Sequence, residues 1–168
     1  PPSNPTATID ATSNFCYDSN NKAAIIVNAT GGQPNYEYSI NGSAFKTSNI
    51  FTNLIPGTYN IIVRDAYGCT FYLPKQVITD QLIAVATITK EFDCTMTPDS
   101  NVDIAVYGGT APYTFETSFN GSPFTPTNAP PYNYSETQTG DYQYRITDHL
   151  GCVVLANTIS VNPKVNPS

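Results

Sequence analysis

The chain has 168 residues, of which 40% are apolar and only 12% charged, with a net charge of −6 and no cluster of Lys or Arg. Nucleic acid is bound by clustered positive charge, so it is not expected as a partner. No apolar run reaches the length of a membrane span, and no basic segment leads into an apolar one, so neither a membrane insertion nor a secretion signal is expected in this stretch.

The opening Pro1-Pro2-Ser3-Asn4-Pro5 reads as linker, taken as 1–6. Ala7-Thr8-Ile9 follows, and then a connection with Cys16 and the oxygen-rich run Asp18-Ser19-Asn20-Asn21. Ile25, Val27 and Ala29 are spaced by two, the period of a strand with one buried face, and Gly31-Gly32 comes next. Tyr36, Tyr38 and Ile40 repeat that spacing ahead of Asn41-Gly42, a strong hairpin signal. Leu54-x-Pro56-Gly57-x-Tyr59 resembles a tyrosine corner, in which a phenol returns its hydroxyl to backbone a few residues upstream. The strand then runs through Ile61 and Val63 to Asp65-Ala66-Tyr67-Gly68. Asp and Gly suit the first and fourth positions of a type I turn, and Cys69 opens the last strand beyond it.

From here the chain repeats itself. Ala86-Thr87-Ile88, Cys94, Gly108-Gly109, Asn120-Gly121 and Gly140-x-Tyr142 recur in the same order, and Asp148-His149-Leu150-Gly151-Cys152 closes the second copy as Asp65 to Cys69 closes the first. Val102, Ile104 and Val106 match Ile25, Val27 and Ala29, while the intervening Ile26 matches Asp103 and so should face solvent. Tyr142, Tyr144 and Ile146 match Tyr59, Ile61 and Val63. The largest insertion is 126–138, which lengthens the second copy ahead of Gly140. A duplication of this kind, with short strands and no helical pattern, predicts an all-β chain of two tandem Ig-like or fibronectin-like β-sandwich domains of about seven strands each. They cover residues 1–80 and 81–168, with 163–168 as a closing linker. The short junction at 78–88 predicts that they are arranged end to end, and the two linker stretches suggest a piece of a longer protein.

Units of about 80 residues are small for a self-sufficient core and often need a staple. Four cysteines, two per unit in matching places, allow three connectivities. The simplest joins Cys16 to Cys69 and Cys94 to Cys152. It would close loops of 53 residues (69 minus 16) and 58 residues (152 minus 94), stabilising each unit by roughly 4 kcal/mol in the chain-entropy model. Four free buried thiols are the alternative.

Catalytic chemistry finds little support. His149 is the one His and falls at a turn tip, with no His at the matching place in the first copy. Lys22, considered for an internal isopeptide bond, has no counterpart either. No cofactor is expected. Calcium is the one metal to weigh, through Asp18 and Asp99 in equivalent oxygen-rich loops, and the competing reading is that these residues form turns. Most tyrosines fall on inward strand positions. Tyr132 and Tyr134, in the insertion beside three prolines, could stack on sugar rings as a ligand-contact patch, or could fold back over the sandwich.

These residues are similar to a known family. Each unit resembles a SprB repeat, a module found in many copies in large surface adhesins of gliding Bacteroidota. The likeness rests on the Cys of the first connection, on Gly31-Gly32-x-Pro34-x-Tyr36-x-Tyr38 and Gly108-Gly109-x-x-Pro112-Tyr113-x-Phe115, and on Asn-Gly-Ser at 41–43 and 120–122. It rests also on Pro56-Gly57-Thr58-Tyr59 leading to Val63-x-Asp65-x-x-Gly68-Cys69. The resemblance implies a secreted, extracellular protein held at the cell surface and exported by type IX secretion. Its modules would serve as stalk and adhesive surface in attachment and gliding, with neighbouring repeats and surface polysaccharides as partners. The other expectation weighed is a carbohydrate-binding module of a secreted enzyme.

Overall fold

The computed structural model describes residues 3–127 and 133–164. The chain divides into two compact units, Pro1–Gln81 and Leu82–Ser168, and its described residues form strands, turns and loops with no helix. Among the described residues, therefore, no helix is long and apolar enough to cross a membrane.

The first unit contains β1 (Pro5–Ile9), β2 (Ala23–Gly31), β3 (Glu37–Ile40), β4 (Ile50–Leu54), β5 (Gly57–Tyr59), β6 (Ile61–Arg64), β7 (Thr70–Tyr72) and β8 (Gln76–Ile78). One sheet has the order β1-β2-β4, the other β3-β6-β7, and β5 pairs with β8; all pairings are antiparallel. The period of two decides what lies between the sheets. In β2, Ala23, Ile25 and Val27 are fully buried, whereas Ala24 and Ile26 are only partly covered. Ile61 and Val63 meet them from the opposite sheet, with Phe51 closing the core. Each such aliphatic side chain contributes about 1.5–3 kcal/mol by leaving water.

The second unit repeats the plan with β9 (Ile83–Lys90), β10 (Ser100–Tyr107), β11 (Thr114–Phe119), β12 (Thr125–Pro126), β13 (Asn133–Glu136), β14 (Gly140–Thr147), β15 (Val153–Leu155) and β16 (Ile159–Val161). One sheet is β9-β10-β13; in the other, β12-β11-β14 continues onto β15, with β16 also paired to β14. Val102 and Ile104 of β10 face Tyr144 and Ile146 of β14 in the core, and Asp103 is exposed.

Each unit has eight strands against the expected seven or so: in the first the tyrosine-corner strand is broken at Asn60 and the last strand is broken too, and in the second only the last strand is broken but the short β12 is added. The Asn-Gly turns explain how the interruption at Asn60 is held. Asn41 and Gly42 have φ of 47° and 74°, and Asn120 and Gly121 of 49° and 75°, the paired positive values of a type I′ turn. The Ser43 and Ser122 N–H groups close these turns onto the carbonyls of Ile40 and Phe119 at 2.9 Å. The Asn41 Oδ1 also accepts the Asn60 N–H at 2.8 Å, and Asn120 does the same for Asp141 at 2.9 Å. Of the stretch read as linker at 1–6, Pro5 and Thr6 belong to β1; residues 1–2 and 165–168 lie outside the described residues.

Candidate functional site: the poles of each unit

Each sandwich has two ends with different chemistry. Its N-terminal pole, where the chain arrives, is built around a buried aspartate. Asp65 is 4% exposed. Its Oδ1 accepts the N–H groups of Tyr67 at 3.0 Å and Cys69 at 2.9 Å, and its Oδ2 accepts that of Gln33 at 3.1 Å. The backbone closes the type I turn, with the Gly68 N–H donating to the Asp65 carbonyl at 3.0 Å. Donation by the Gln33 N–H, with help from Cys69, Tyr67 and Gly68, holds the Asp65 carboxyl below its ordinary range, against the opposing effect of burial. Asp148 repeats the arrangement with Leu150, Cys152 and Thr110 at 2.9, 2.8 and 2.8 Å. The double glycine is explained by closeness as well as by backbone. Gly32 has φ of +60°, and a Cβ there would lie 2.6 Å from Asp65 Oδ2 and 3.1 Å from the Pro5 nitrogen. Tyr36 and Tyr113 tie the same loops by donating to the Gly31 and Gly108 carbonyls at 2.5 and 2.8 Å.

The C-terminal pole lies where β2 and β10 begin and β8 and β16 end. The tyrosine corners sit here. Tyr59 donates to the Ile55 carbonyl at 2.7 Å and accepts the Ile55 N–H at 3.1 Å, and Tyr142 donates to the Gln138 carbonyl at 2.9 Å. Sequence reading anticipated the first, and the second stands at the position that matches Tyr59 in the repeat.

The cysteines depart from the expected pairing. Cys69 and Cys94 are exposed free thiols, whereas Cys16 and Cys152 are disulfide-bonded. Neither unit therefore contains the bridge expected from Cys16 to Cys69 or from Cys94 to Cys152. The reason is strand direction. Cys16 follows Asn14, whose backbone pairs with Ala24 at the start of β2. Cys69 belongs to the Asp65 turn, which abuts Gly32 just past the end of β2. The nine residues of β2 lie between them, a span of roughly 26 Å, far beyond the Cα separation of about 7 Å that a disulfide permits. In the second unit Cys94 lies in the loop between Asp93 and Asp99 at the start of β10, and Cys152 beside Gly109 beyond its end.

Other expected sites fare unequally. Tyr132 lies outside the described residues. Tyr134 is not a ligand contact: it is 7% exposed, its ring centroid 5.1 Å from that of Tyr144, and its hydroxyl 3.3 Å from Thr127. On β13 it pairs with Val102 as Phe51 on β4 pairs with Ile25, so it is the second unit's version of a core aromatic. Counting back 83 residues, the offset between Tyr142 and Tyr59, leads from Tyr134 to Phe51 and would have revealed this.

Asp18 caps its own loop, accepting the N–H groups of Asn20 and Asn21 at 2.7 and 2.6 Å. Asp99 pairs with Lys90 and accepts the Ser135 hydroxyl at 2.7 Å. Lys90 also reaches Asp93 at 2.7 Å and, with Thr95, holds its carboxyl down at about 2. Lys22 donates to the Tyr17 hydroxyl at 3.1 Å. His149 is exposed at the turn tip.

One feature of the open sheet face was missed from sequence. Arg64 pairs with Glu37 at 2.6 Å and lies over the Phe45 ring, 4.1 Å from its centroid; Arg145 does so with Glu116 at 2.6 Å and Phe124 at 4.5 Å. The signal was available, since Glu and Phe stand at fixed distances before and after Asn-Gly in both copies. Near the N-terminal pole of the first unit, Tyr36, Glu37, Arg64 and the exposed Tyr67 line an open groove of about 760 Å³.

No protein-family model matches the chain, and no curated protein matches it. Among solved structures, a C-terminal 282-residue fragment of intimin, in complex with the intimin-binding domain of the translocated intimin receptor, is similar over 93% of this chain at 13% identity, with a TM-score of 0.56. This chain spans 64% of that fragment, under two thirds of its length. Fibronectin(III)-like modules of Clostridium thermocellum CbhA align over 93% of this chain and 94% of their own at 13% identity, with a TM-score of 0.45. With the strand topology, the first likeness defines the class: an all-β chain of Ig-like, fibronectin-like sandwiches.

Proposed function

We propose that the chain is a pair of extracellular modules from a large cell-surface adhesin of the SprB-repeat kind, serving as stalk and contact surface in attachment and gliding. The observation that carries this reading is duplication. The buried Asp turn, the tyrosine corner and the Asn-Gly clamp are kept in both copies, while exposed residues such as Asn28 against Ala105 and Tyr67 against Leu150 differ. A chain so built repeats a scaffold and varies its surface. Disulfide-bonded cysteines fit an oxidising location outside the cell, and the family motifs at 31–38, 41–43 and 56–69 support the repeat type. The intimin fragment of similar fold is bound to a receptor domain, which supports contact with a partner surface as the use of such a sandwich. The carbohydrate-module reading loses Tyr134, one of the two residues on which it leaned.

Repeated modules can grip through many weak contacts. Beads densely coated with the protein are expected to adhere at least about tenfold more than bare beads to one or more of glass, polysaccharide and protein-coated surfaces, while the free protein binds the same surfaces weakly. Adhesion equal to that of bare beads on every surface would remove the adhesive role.

A further inference from the structure

The two free thiols are not equivalent to each other, but each is equivalent to a bonded cysteine of the other copy. Cys69 stands in the Asp65 turn as the disulfide-bonded Cys152 stands in the Asp148 turn, with the same backbone bonds to the aspartate. Cys94 stands in the first connection as the disulfide-bonded Cys16 does. Each position is thus one at which this module makes a disulfide. Because strands β2 and β10 hold the two positions of a unit at opposite poles, the partner of either free thiol must come from another module.

We infer that Cys69 and Cys94 are inter-module disulfide sites: Cys94, at the C-terminal pole, takes the turn cysteine of a further copy of this module, and Cys69, at the N-terminal pole, takes the first-connection cysteine of another. The pairing follows from the positions found bonded: one is a first-connection cysteine, Cys16, and the other a turn cysteine, Cys152, so each free position is matched with one of the other kind. The surroundings of Cys69 suit such a contact. Tyr67, two residues away in the same turn, is 71% exposed, and Leu150 at the matching place is 43% exposed, so both turns hold out an apolar tip. Each bond forms as two thiols give up two protons and two electrons to a disulfide oxidant, which leaves as two thiols after passing through a mixed disulfide. This inference rests on the repeat architecture and not on adhesion, so bead binding and disulfide mapping can fail separately.

The test has two parts. Native protein without reductant, treated with iodoacetamide and digested, should be modified at Cys69 and Cys94 and unmodified at Cys16 and Cys152. Two full chains joined in tandem in one polypeptide, equilibrated in oxidised and reduced glutathione, should then yield a linked peptide joining Cys94 of the first chain to Cys69 of the second. It should exceed any other Cys69 or Cys94 linkage at least about tenfold, since tethering puts those two thiols at high effective concentration. Cys69→Ser and Cys94→Ser should each abolish that peptide while leaving the melting curve unchanged, as both side chains are exposed. The inference is overturned if Cys69 and Cys94 of the tandem chain remain fully alkylatable, if their linkages are statistical, or if Cys69 is found joined to Cys16 of its own module.

Discussion

Asp65 shows how much of a small sandwich can hang on one carboxylate, because it accepts from both sides of the N-terminal pole at once. Asp65→Asn keeps an oxygen for Tyr67 and Cys69 but turns an amide donor toward the Gln33 N–H. The first unit is expected to lose stability at pH 7. Since the folded carboxyl lies below its ordinary value, its contribution is present above the unfolded pKa, about 3.9, and disappears as pH falls through the lower folded value. The melting temperature of the Asn variant should therefore fall less than that of the parent between pH 7 and pH 3. Glycine substitutions separate crowding from backbone strain. Gly68→Ala meets nothing within 4 Å and should cost only the strain of φ +84°, about 1–2 kcal/mol. Gly32→Ala adds a clash with Asp65 and Pro5, so it should lower the denaturant midpoint further. Tyr142→Phe, which removes one corner hydrogen bond, should cost about 1 kcal/mol. For a unit of this size that is a shift of about 4–8 °C in calorimetry.

Among the strands, β13 marks both the reach and the limit of reading from sequence. The alternation in β2, β6, β10 and β14, the hairpins at Asn-Gly and the Asp turns were legible because each depends on neighbours within a few residues. The fate of Tyr134 was not, because it depends on pairing with β10, some thirty residues earlier, and its proline-rich insertion hid the correspondence with Phe51. Tyr134→Ala should cost about 3–5 kcal/mol, as for other buried aromatics, and unfold the second unit at lower temperature; Tyr67→Ala, at an exposed tip, should change stability by less than about 0.5 kcal/mol. Next to Tyr134, the Tyr144 hydroxyl donates to Glu136 Oε1 at 2.9 Å. Burial pushes the Glu136 carboxyl up, while the hydroxyls of Tyr144 and Tyr142 pull it down. A raised folded value means that ionisation opposes folding as pH rises past the unfolded value. Glu136→Gln keeps an acceptor without the charge, and should raise the melting temperature of the second unit at pH 7.

At the level of the molecule, the cysteines teach the same lesson as Tyr134. Their count and matched positions were readable; their pairing was not, because it depends on which pole each loop reaches. With no bridge inside either unit, reduction is expected to leave both units folded, with melting temperatures far closer to the oxidised values than the loss of roughly 4 kcal/mol per unit that internal bridges would bring. Circular dichroism with and without a phosphine reductant measures this. The differing cores have a further consequence, for synthesis. Neighbouring modules of like sequence emerge side by side and are prone to exchange strands. In this pair β14 lodged in the first unit would force the Tyr144 phenol into the space of Ile61, away from Glu136, and β6 in the second would leave Glu136 without the Tyr144 donor. Divergence buried between the sheets thus acts as a lock against wrong partnership between siblings built on one scaffold.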